Sequence, residues 1–153
     1  VHGVNAVLPG MVERKRGHIV KISSLFGLLA CSSQSAYNAS KFAVRGFTEA
    51  LALEVAPLGI TVSSVHPGGI RTGIAANARF RRNHRGGGTK ERFVKGFSKI
   101  AKTTSDEAAD IIIDGIRAKR QRILVGSDAK LLDKIQRVFP ERYGQVLRTL
   151  KML

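Results

Sequence analysis

Tyr37 and Lys41 are the residues whose types and spacing are best suited to acid–base chemistry. Residues four apart on a helix lie on the same face one turn apart, so a helix here would bring the phenol and the ammonium together. A phenol titrates near ~10 in isolation, and a neighbouring ammonium favours the phenolate. The pair could therefore give or take a proton near neutral pH. The same spacing also fits an exposed polar helix face, so the surrounding sequence has to decide between the two interpretations.

Two stretches that read as buried strands flank this helix. Residues 17–22 run into Ser24, thirteen residues before Tyr37, and residues 60–65 run into a Pro-Gly-Gly-Ile-Arg-Thr stretch at 67–72. In open α/β sheets, ligands bind at the carboxyl ends of the strands, where both stretches lead. This order of strand, serine loop, Tyr-x-x-x-Lys helix, strand and Pro-Gly loop closely resembles the C-terminal half of the short-chain dehydrogenase/reductase family.

The resemblance implies an enzyme that transfers a hydride reversibly between a carbonyl or secondary alcohol and a nicotinamide cofactor, NAD or NADP. It assigns the substrate oxygen to Ser24, the proton transfer to Tyr37, and support of that transfer together with binding of the cofactor ribose to Lys41. By the family spacing, Ser23 is not the catalytic serine. The family's catalytic asparagine is expected upstream of this sequence, because Asn5 lies too close to the strand.

The resemblance also implies that the loop after the second strand contacts the nicotinamide ring, with a threonine on the carboxamide. The motif positions in this loop are Pro67, Gly68, Gly69, Ile70 and Thr72. Glycines there allow backbone groups to come close to a ligand. His66, just before the loop, could serve as a base, but its position at a strand end favours a structural role.

The predicted fold class is α/β, the C-terminal part of a Rossmann-like doubly wound parallel sheet whose N-terminal dinucleotide-binding half is missing. Residues 1–153 would form one partial domain, with a catalytic core segment at 1–78, a basic variable lid at 79–102 and a C-terminal helix–strand–helix region at 103–153. The phosphate-binding glycine turn is expected about 100 residues upstream of the sequence. The isolated chain is therefore expected to bind neither NADH nor NADPH, to be inactive and to aggregate.

The helix that carries the Tyr-Lys pair is predicted at 35–56, with Ser35 as its N-cap. It has a stripe of small residues at Ala36, Ala39, Ala43, Gly46 and Ala50. Packing within the subunit is the plainer explanation of that stripe, while the resemblance implies a homodimer or homotetramer. The serine loop carries Leu25, Phe26, Leu28 and Leu29, which could line a pocket for an apolar substrate or pack in the core.

The charge of the chain is strongly positive, at +15, with 26 Lys and Arg against 11 Asp and Glu. Nine of the basic residues lie in 79–102, where Glu91 is the only acid. Such a segment could bind nucleic acid or an acidic membrane surface, or it could be a solvated, mobile and mostly helical flap hinged at 86–88. No nucleic-acid module is recognisable, so we do not expect nucleic acid as the main partner. A non-catalytic binding protein on the same fold is the other alternative, and the intact Ser-Tyr-Lys set argues against it.

Several classes of protein are disfavoured by composition. No apolar run approaches the roughly 18 residues of a membrane span. The single cysteine, Cys31, cannot form an internal disulfide, and the four histidines lack metal-ligand spacing, so a cytoplasmic, metal-free protein is expected. Substrate identity and the choice between NAD and NADP are not readable from this sequence.

Overall fold

Three parallel strands form the centre of the fold. The computed structural model describes residues 1–79 and 89–150. Within them the strands pair in the order β1-β2-β3, namely β1 (Gly17–Ile22), β2 (Ile60–Pro67) and β3 (Arg122–Val125). Ile22 lies opposite Val65, so the carboxyl ends of β1 and β2 meet at one edge of the sheet. This parallel sheet confirms the predicted α/β class.

Within the described residues, six α-helices precede, connect and follow these strands. They are α1 (His2–Glu13), α2 (Ser35–Val55), α3 (Lys90–Ile100), α4 (Ser105–Arg117), α5 (Ser127–Val138) and α6 (Tyr143–Thr149). Helix α4 begins with a capping box. The Thr104 hydroxyl accepts from the backbone N–H of Glu107, and the Glu107 carboxylate accepts from the backbone N–H of Thr104, at 3.1 and 2.7 Å. This reciprocal pair satisfies two donors at the helix start.

The start of α2 differs from the prediction. Ser35 is the first helical residue, and Gln34 occupies the N-cap position without a side-chain capping bond. The reason is that the backbone N–H of Asn38 already donates to the carbonyl of Gln34 at 2.7 Å. The helical hydrogen-bond series therefore begins one residue earlier than the serine suggests.

The small-residue stripe of α2 lies on its solvent side, which corrects the expectation that it packs within the subunit. The side of α2 that faces the sheet carries other residues, Thr48, Leu51, Ala52 and Val55. Because an amphipathic helix buries only one stripe, the burial of these residues leaves the small-residue stripe on the opposite side, toward solvent.

The apolar residues of the serine loop belong to the core rather than to a pocket. Leu25, Leu28 and Leu29 are buried in one cluster with Ala129 and Leu147 of helices α5 and α6. Packing against the C-terminal helices therefore stabilises the position of the loop, since burying one aliphatic side chain contributes about 1.5–3 kcal/mol to folding stability. Of the four residues proposed as a wall, Phe26 is the one that stays partly exposed.

The predicted flap at 79–102 is helical over α3, which begins after the cap residue Thr89. The glycine triplet at 86–88, proposed as its hinge, lies outside the described residues. No helix in the described ranges combines the length and apolar character that crossing a bilayer requires.

Gly27 is expected to be intolerant of a side chain, because the serine loop approaches α2 closely there. A Cβ at Gly27 would lie 2.7 Å from the carbonyl oxygen of Lys41 and would also collide with the Ser23 hydroxyl. We predict that Gly27→Ala lowers the free energy of unfolding by about 1–3 kcal/mol, measured by urea titration with circular dichroism. Gly144→Ala is the matched control, because an added methyl there meets no heavy atom of the described residues within 4 Å. Equal stability of the two variants would contradict this packing.

Candidate active site

Ser24 lies directly beyond β1, where the chain turns away from the sheet. Its backbone is extended, and its hydroxyl oxygen accepts from the N–H of Phe26 at 3.1 Å, which starts the short 3-10 turn Leu25–Gly27. The preceding Ser23 is buried, and its hydroxyl donates to the carbonyl of Lys41 at 2.9 Å. The two adjacent serines thus have different surroundings, and the hydrogen bond of Ser23 attaches the loop to α2.

Tyr37 and Lys41 share one face in the first turns of α2, as their spacing predicts. The Lys41 ammonium lies 5.6 Å from the centroid of the Tyr37 ring, a cation–π distance. The same ammonium donates to the carbonyl of Ile22, at the carboxyl end of β1, at a distance of 3.4 Å. The Phe26 and Tyr37 rings pack perpendicular to each other, with 6.2 Å between their centroids. The phenol, 39% exposed, is thereby positioned between the serine loop and the ammonium.

Asn38, between the two, is a structural residue that the sequence reasoning missed. Its buried amide nitrogen donates to the carbonyls of Phe26 and Leu29, at 2.8 and 3.1 Å. Its amide oxygen accepts from the N–H of Cys31 at 3.2 Å. Asn38 therefore satisfies three backbone groups of the serine loop from α2. The sequence did contain one indication of this role, because asparagine is unfavourable inside a helix unless its side chain makes specific hydrogen bonds.

His66 connects the end of β2 to the serine loop. The ring is fully buried, with Nδ1 3.0 Å from the carbonyl oxygen of Ser24 and Nε2 2.8 Å from the Ser64 hydroxyl. A carbonyl can only accept, so Nδ1 carries the proton and Nε2 accepts from Ser64. Burial lowers the pKa of His66, which keeps the ring neutral. This arrangement supports the structural role over that of a catalytic base.

The Pro-Gly loop after β2 is anchored by backbone contacts on both of its sides. Gly68 donates its N–H to the carbonyl of Val125 at 2.9 Å, which extends the alignment with β3. Ile70 forms a parallel bridge with Thr103, and the N–H of Arg71 donates to the Thr103 carbonyl at 2.8 Å. The loop is thus fixed between β3 and the segment that precedes α4.

Asp128 is a second residue that the sequence reasoning missed. Its carboxylate accepts from the N–H of Gly69 at 2.7 Å and lies in the first turn of α5, where a negative charge is favourable. A Cβ at Gly68 would collide with this carboxylate, so the glycine allows the close approach. The remaining loop position, Thr72, is exposed, and its hydroxyl accepts from the N–H of Ile74 at 3.3 Å.

The structure thus gathers the sequence-predicted residues at one edge of the sheet, on the serine loop, α2 and the Pro-Gly loop. Over residues 1–79 and 89–150, no group of three or more His, Cys, Asp or Glu side chains is arranged to hold a metal ion. The donors available to a ligand at this edge are hydroxyl, ammonium and backbone groups. Such donors suit a polar organic ligand.

The buried neutral state of His66 should make folding stability depend on pH. Because its folded pKa is lowered, the unfolded chain binds the extra proton first as pH falls below about 6.5. The stability that the neutral ring contributes is therefore fully present above that pH, and it is lost as pH falls toward the lowered pKa of the folded state. We predict that His66→Asn, whose amide can still donate to the Ser24 carbonyl, shows a smaller decline between about pH 7 and 5 in urea titrations.

His18 provides the comparison for this measurement. The pKa of His18 is also lowered, first by burial and then by the charge of Lys119. His18→Gln should therefore reduce the loss of stability at low pH independently of His66→Asn. An unchanged slope in His66→Asn would show that His66 does not stay neutral in the folded chain.

Comparison with known proteins identifies related sequences and structures. The sequence model of the family described as short chain dehydrogenase matches residues 1–83. A Mycobacterium tuberculosis protein named as an oxidoreductase, SadH, is 43% identical over 150 residues, which cover 96% of this chain and 53% of that protein. The rat dehydrogenase/reductase SDR family member 7B is 38% identical over 120 residues, or 78% of this chain and 35% of that protein. The chain spans about half, or less, of the length of these relatives.

Solved structures show the same arrangement of elements. A short-chain dehydrogenase/reductase from Burkholderia phymatum, in complex with NAD, superposes with a TM-score of 0.72 at 28% identity, covering 92% of this chain and 54% of that one. A short-chain dehydrogenase from Sphingobium yanoikuyae, in complex with NADPH, gives 0.64 at 25% identity, covering 89% and 49%. The fold of the described residues is therefore one that these nicotinamide-bound proteins share.

Proposed function

Since this chain belongs to the short-chain dehydrogenase/reductase family, we propose that its protein is an oxidoreductase that interconverts a carbonyl compound and a secondary alcohol with NAD or NADP. The observation that carries the proposal is the Lys41 ammonium 5.6 Å from the Tyr37 ring, on the helix that also binds the serine loop. The family match does not favour the two alternatives, a non-catalytic binding protein and a nucleic-acid-binding protein.

The Ser24 hydroxyl acts as an acceptor in its hydrogen bond with the serine loop. Its oxygen accepts from Phe26, so a lone pair is used and the O–H can donate to a substrate oxygen. Tyr37 then donates its proton to the oxygen of the carbonyl being reduced, or accepts one from the alcohol in the reverse direction. Lys41 stabilises the negative charge that Tyr37 acquires when it gives up the proton.

The candidate cofactor contacts have the chemistry of the nicotinamide end. When bound, a nicotinamide cofactor supplies or accepts the hydride at the carbonyl carbon. The Tyr37 hydroxyl and Lys41 ammonium suit the ribose hydroxyls, and the Thr72 hydroxyl suits the carboxamide. Pro67, Gly68, Gly69 and Ile70 would contact the nicotinamide ring, with Gly68 and Gly69 held by β3 and Asp128.

The exposed stripe of α2 supports a homodimer or homotetramer as the assembly. Small residues on a helix surface let a second helix approach closely, and Leu53 extends the same exposed surface. A copy of α2 is therefore the partner that we propose for this face. A cytoplasmic location is also part of this proposal, and it rests on the single cysteine of the chain.

The catalytic assignment is tested in a protein that carries this chain together with a dinucleotide-binding half. Tyr37→Phe removes only the proton donor, so turnover should fall by at least about 100-fold while cofactor affinity stays close to that of the parent. Lys41→Ala should reduce both turnover and cofactor affinity. The measurements are NAD(P)H oxidation with a panel of ketones and cofactor titration by fluorescence. Lys134→Ala on exposed α5 is the control, and near-normal turnover of Tyr37→Phe would refute the mechanism.

The assembly is tested by placing a long charged side chain on the exposed α2 stripe. Ala43→Arg should reduce the mass measured by light scattering toward that of a monomer, because a close helix contact cannot accommodate the guanidinium. Ala118→Arg, at an exposed position after α4, should leave the mass unchanged. An unaltered assembly in Ala43→Arg would exclude α2 as the interface.

A further inference from the structure

The carboxylate of Asp128 lies in a space that two glycines leave open beside the Pro-Gly loop. A Cβ at Gly68 would come too close to this carboxylate, and so would a Cβ at Gly126. Gly126 also has a φ of +100°, a left-handed backbone conformation that residues with a side chain rarely adopt. The N–H of Gly69 donates to the carboxylate at 2.7 Å. The carboxylate thus lies directly against the backbone of the loop.

The negative charge of Asp128 has no ion-pair partner in the part of the chain that the structure describes. The ion pairs found there have Glu49, Asp114 or Asp133 as the acid. The donor to Asp128 is a neutral peptide N–H, which leaves the net charge in place. Because the side chain is partly buried, water screens this charge less than that of an exposed carboxylate. The cation of the loop itself, Arg71, is exposed to solvent.

The two forms of a nicotinamide cofactor differ in charge at the ring. The oxidised ring is a cation, and the reduced ring, which has accepted a hydride, is neutral. The sugars and phosphates of the two forms are the same. A charge held beside a loop that contacts the ring therefore acts on the oxidised form alone, whereas the shape and hydrogen bonds of the loop act on both forms.

We propose that the charge of Asp128 makes this site bind the oxidised cofactor more tightly than the reduced cofactor. This inference rests on the proposed function, because it requires the Pro-Gly loop to contact the nicotinamide ring. Coulomb attraction to the carboxylate lowers the free energy of the bound cationic ring and leaves that of the neutral ring unchanged. At equal concentrations of the two forms, more of the protein would hold the form that accepts a hydride from a secondary alcohol.

The alternative is that Asp128 only anchors the loop. Its hydrogen bond to Gly69 and its position in the first turn of α5 agree with an anchoring role as well. An anchor alone would change the affinity for both cofactor forms to the same extent, since both bind to the same loop. The ratio of the two dissociation constants therefore separates the effect of the charge from that of the loop geometry.

The experiment is calorimetric titration of NAD⁺ and NADH, with NADP⁺ and NADPH in parallel, into a protein that carries this chain together with a dinucleotide-binding half. Asp128→Asn keeps an oxygen that can accept from Gly69 but removes the charge. We expect it to weaken binding of the oxidised form by about tenfold and to change binding of the reduced form by less than about twofold. Asp128→Glu keeps the charge and alters the shape, so both affinities should fall while their ratio stays near that of the parent.

A matched control makes the same charge change far from the loop. Asp114→Asn, exposed in the last turn of α4 and about 13 Å along that helix from Ser105, should leave the ratio unchanged. Hydrogen exchange at the N–H of Gly69 gives a readout without cofactor, and the N–H should stay protected in Asp128→Asn because its acceptor remains.

The outcomes separate this inference from the proposed function. Equal weakening of both cofactor forms in Asp128→Asn, or an unchanged ratio, would overturn the role of the charge and leave Asp128 as an anchor. Failure of the parent protein to bind either form would refute the proposed function itself, and this inference with it.

Discussion

The arrangement of this site depends on one partly buried hydrogen bond, which His66 donates to the carbonyl of Ser24. The backbone pairing of β1 and β2 ends with the N–H of Ser23 donating to Val65, so it does not reach the next carbonyl. Without His66, that partly buried carbonyl would lose its partner, at a cost of roughly 1–3 kcal/mol. The imidazole thus determines where the chain leaves the sheet and hence where the Ser24 side chain starts.

The opposite side of the serine loop is held by α2 in a complementary way. Asn38 binds three backbone groups of the loop, and the hydroxyl of Ser23 donates to the Lys41 carbonyl. Asn38 directly follows Tyr37, and the Ser23 contact is made to the backbone of Lys41 itself. The relative position of the proposed proton donor and the candidate serine is therefore set by neighbouring residues with purely structural tasks.

The sequence predicted what is encoded locally and missed what depends on distant contacts. Tyr37 and Lys41 share a helix face because four residues make about one turn, which no tertiary contact needs to supply. Asn38 and Asp128 were missed, because their partners lie 12 and 59 residues away at positions that only the folded chain brings near. Ser35 failed as a cap for a different reason, namely that a neighbouring residue supplied the first helical carbonyl. Side-chain type alone could not decide between competing local geometries.

The basic segment and the proposed active site are connected through the backbone of the Pro-Gly loop. From the end of α3, Thr103 bridges to Ile70, and Asp128 fixes Gly69 from the other side. Two residues before Gly68 stands His66, which holds the serine loop. Since each of these links is a backbone contact or a hydrogen bond to backbone, the segment that follows α3 is tied to the edge of the sheet where the proposed site lies.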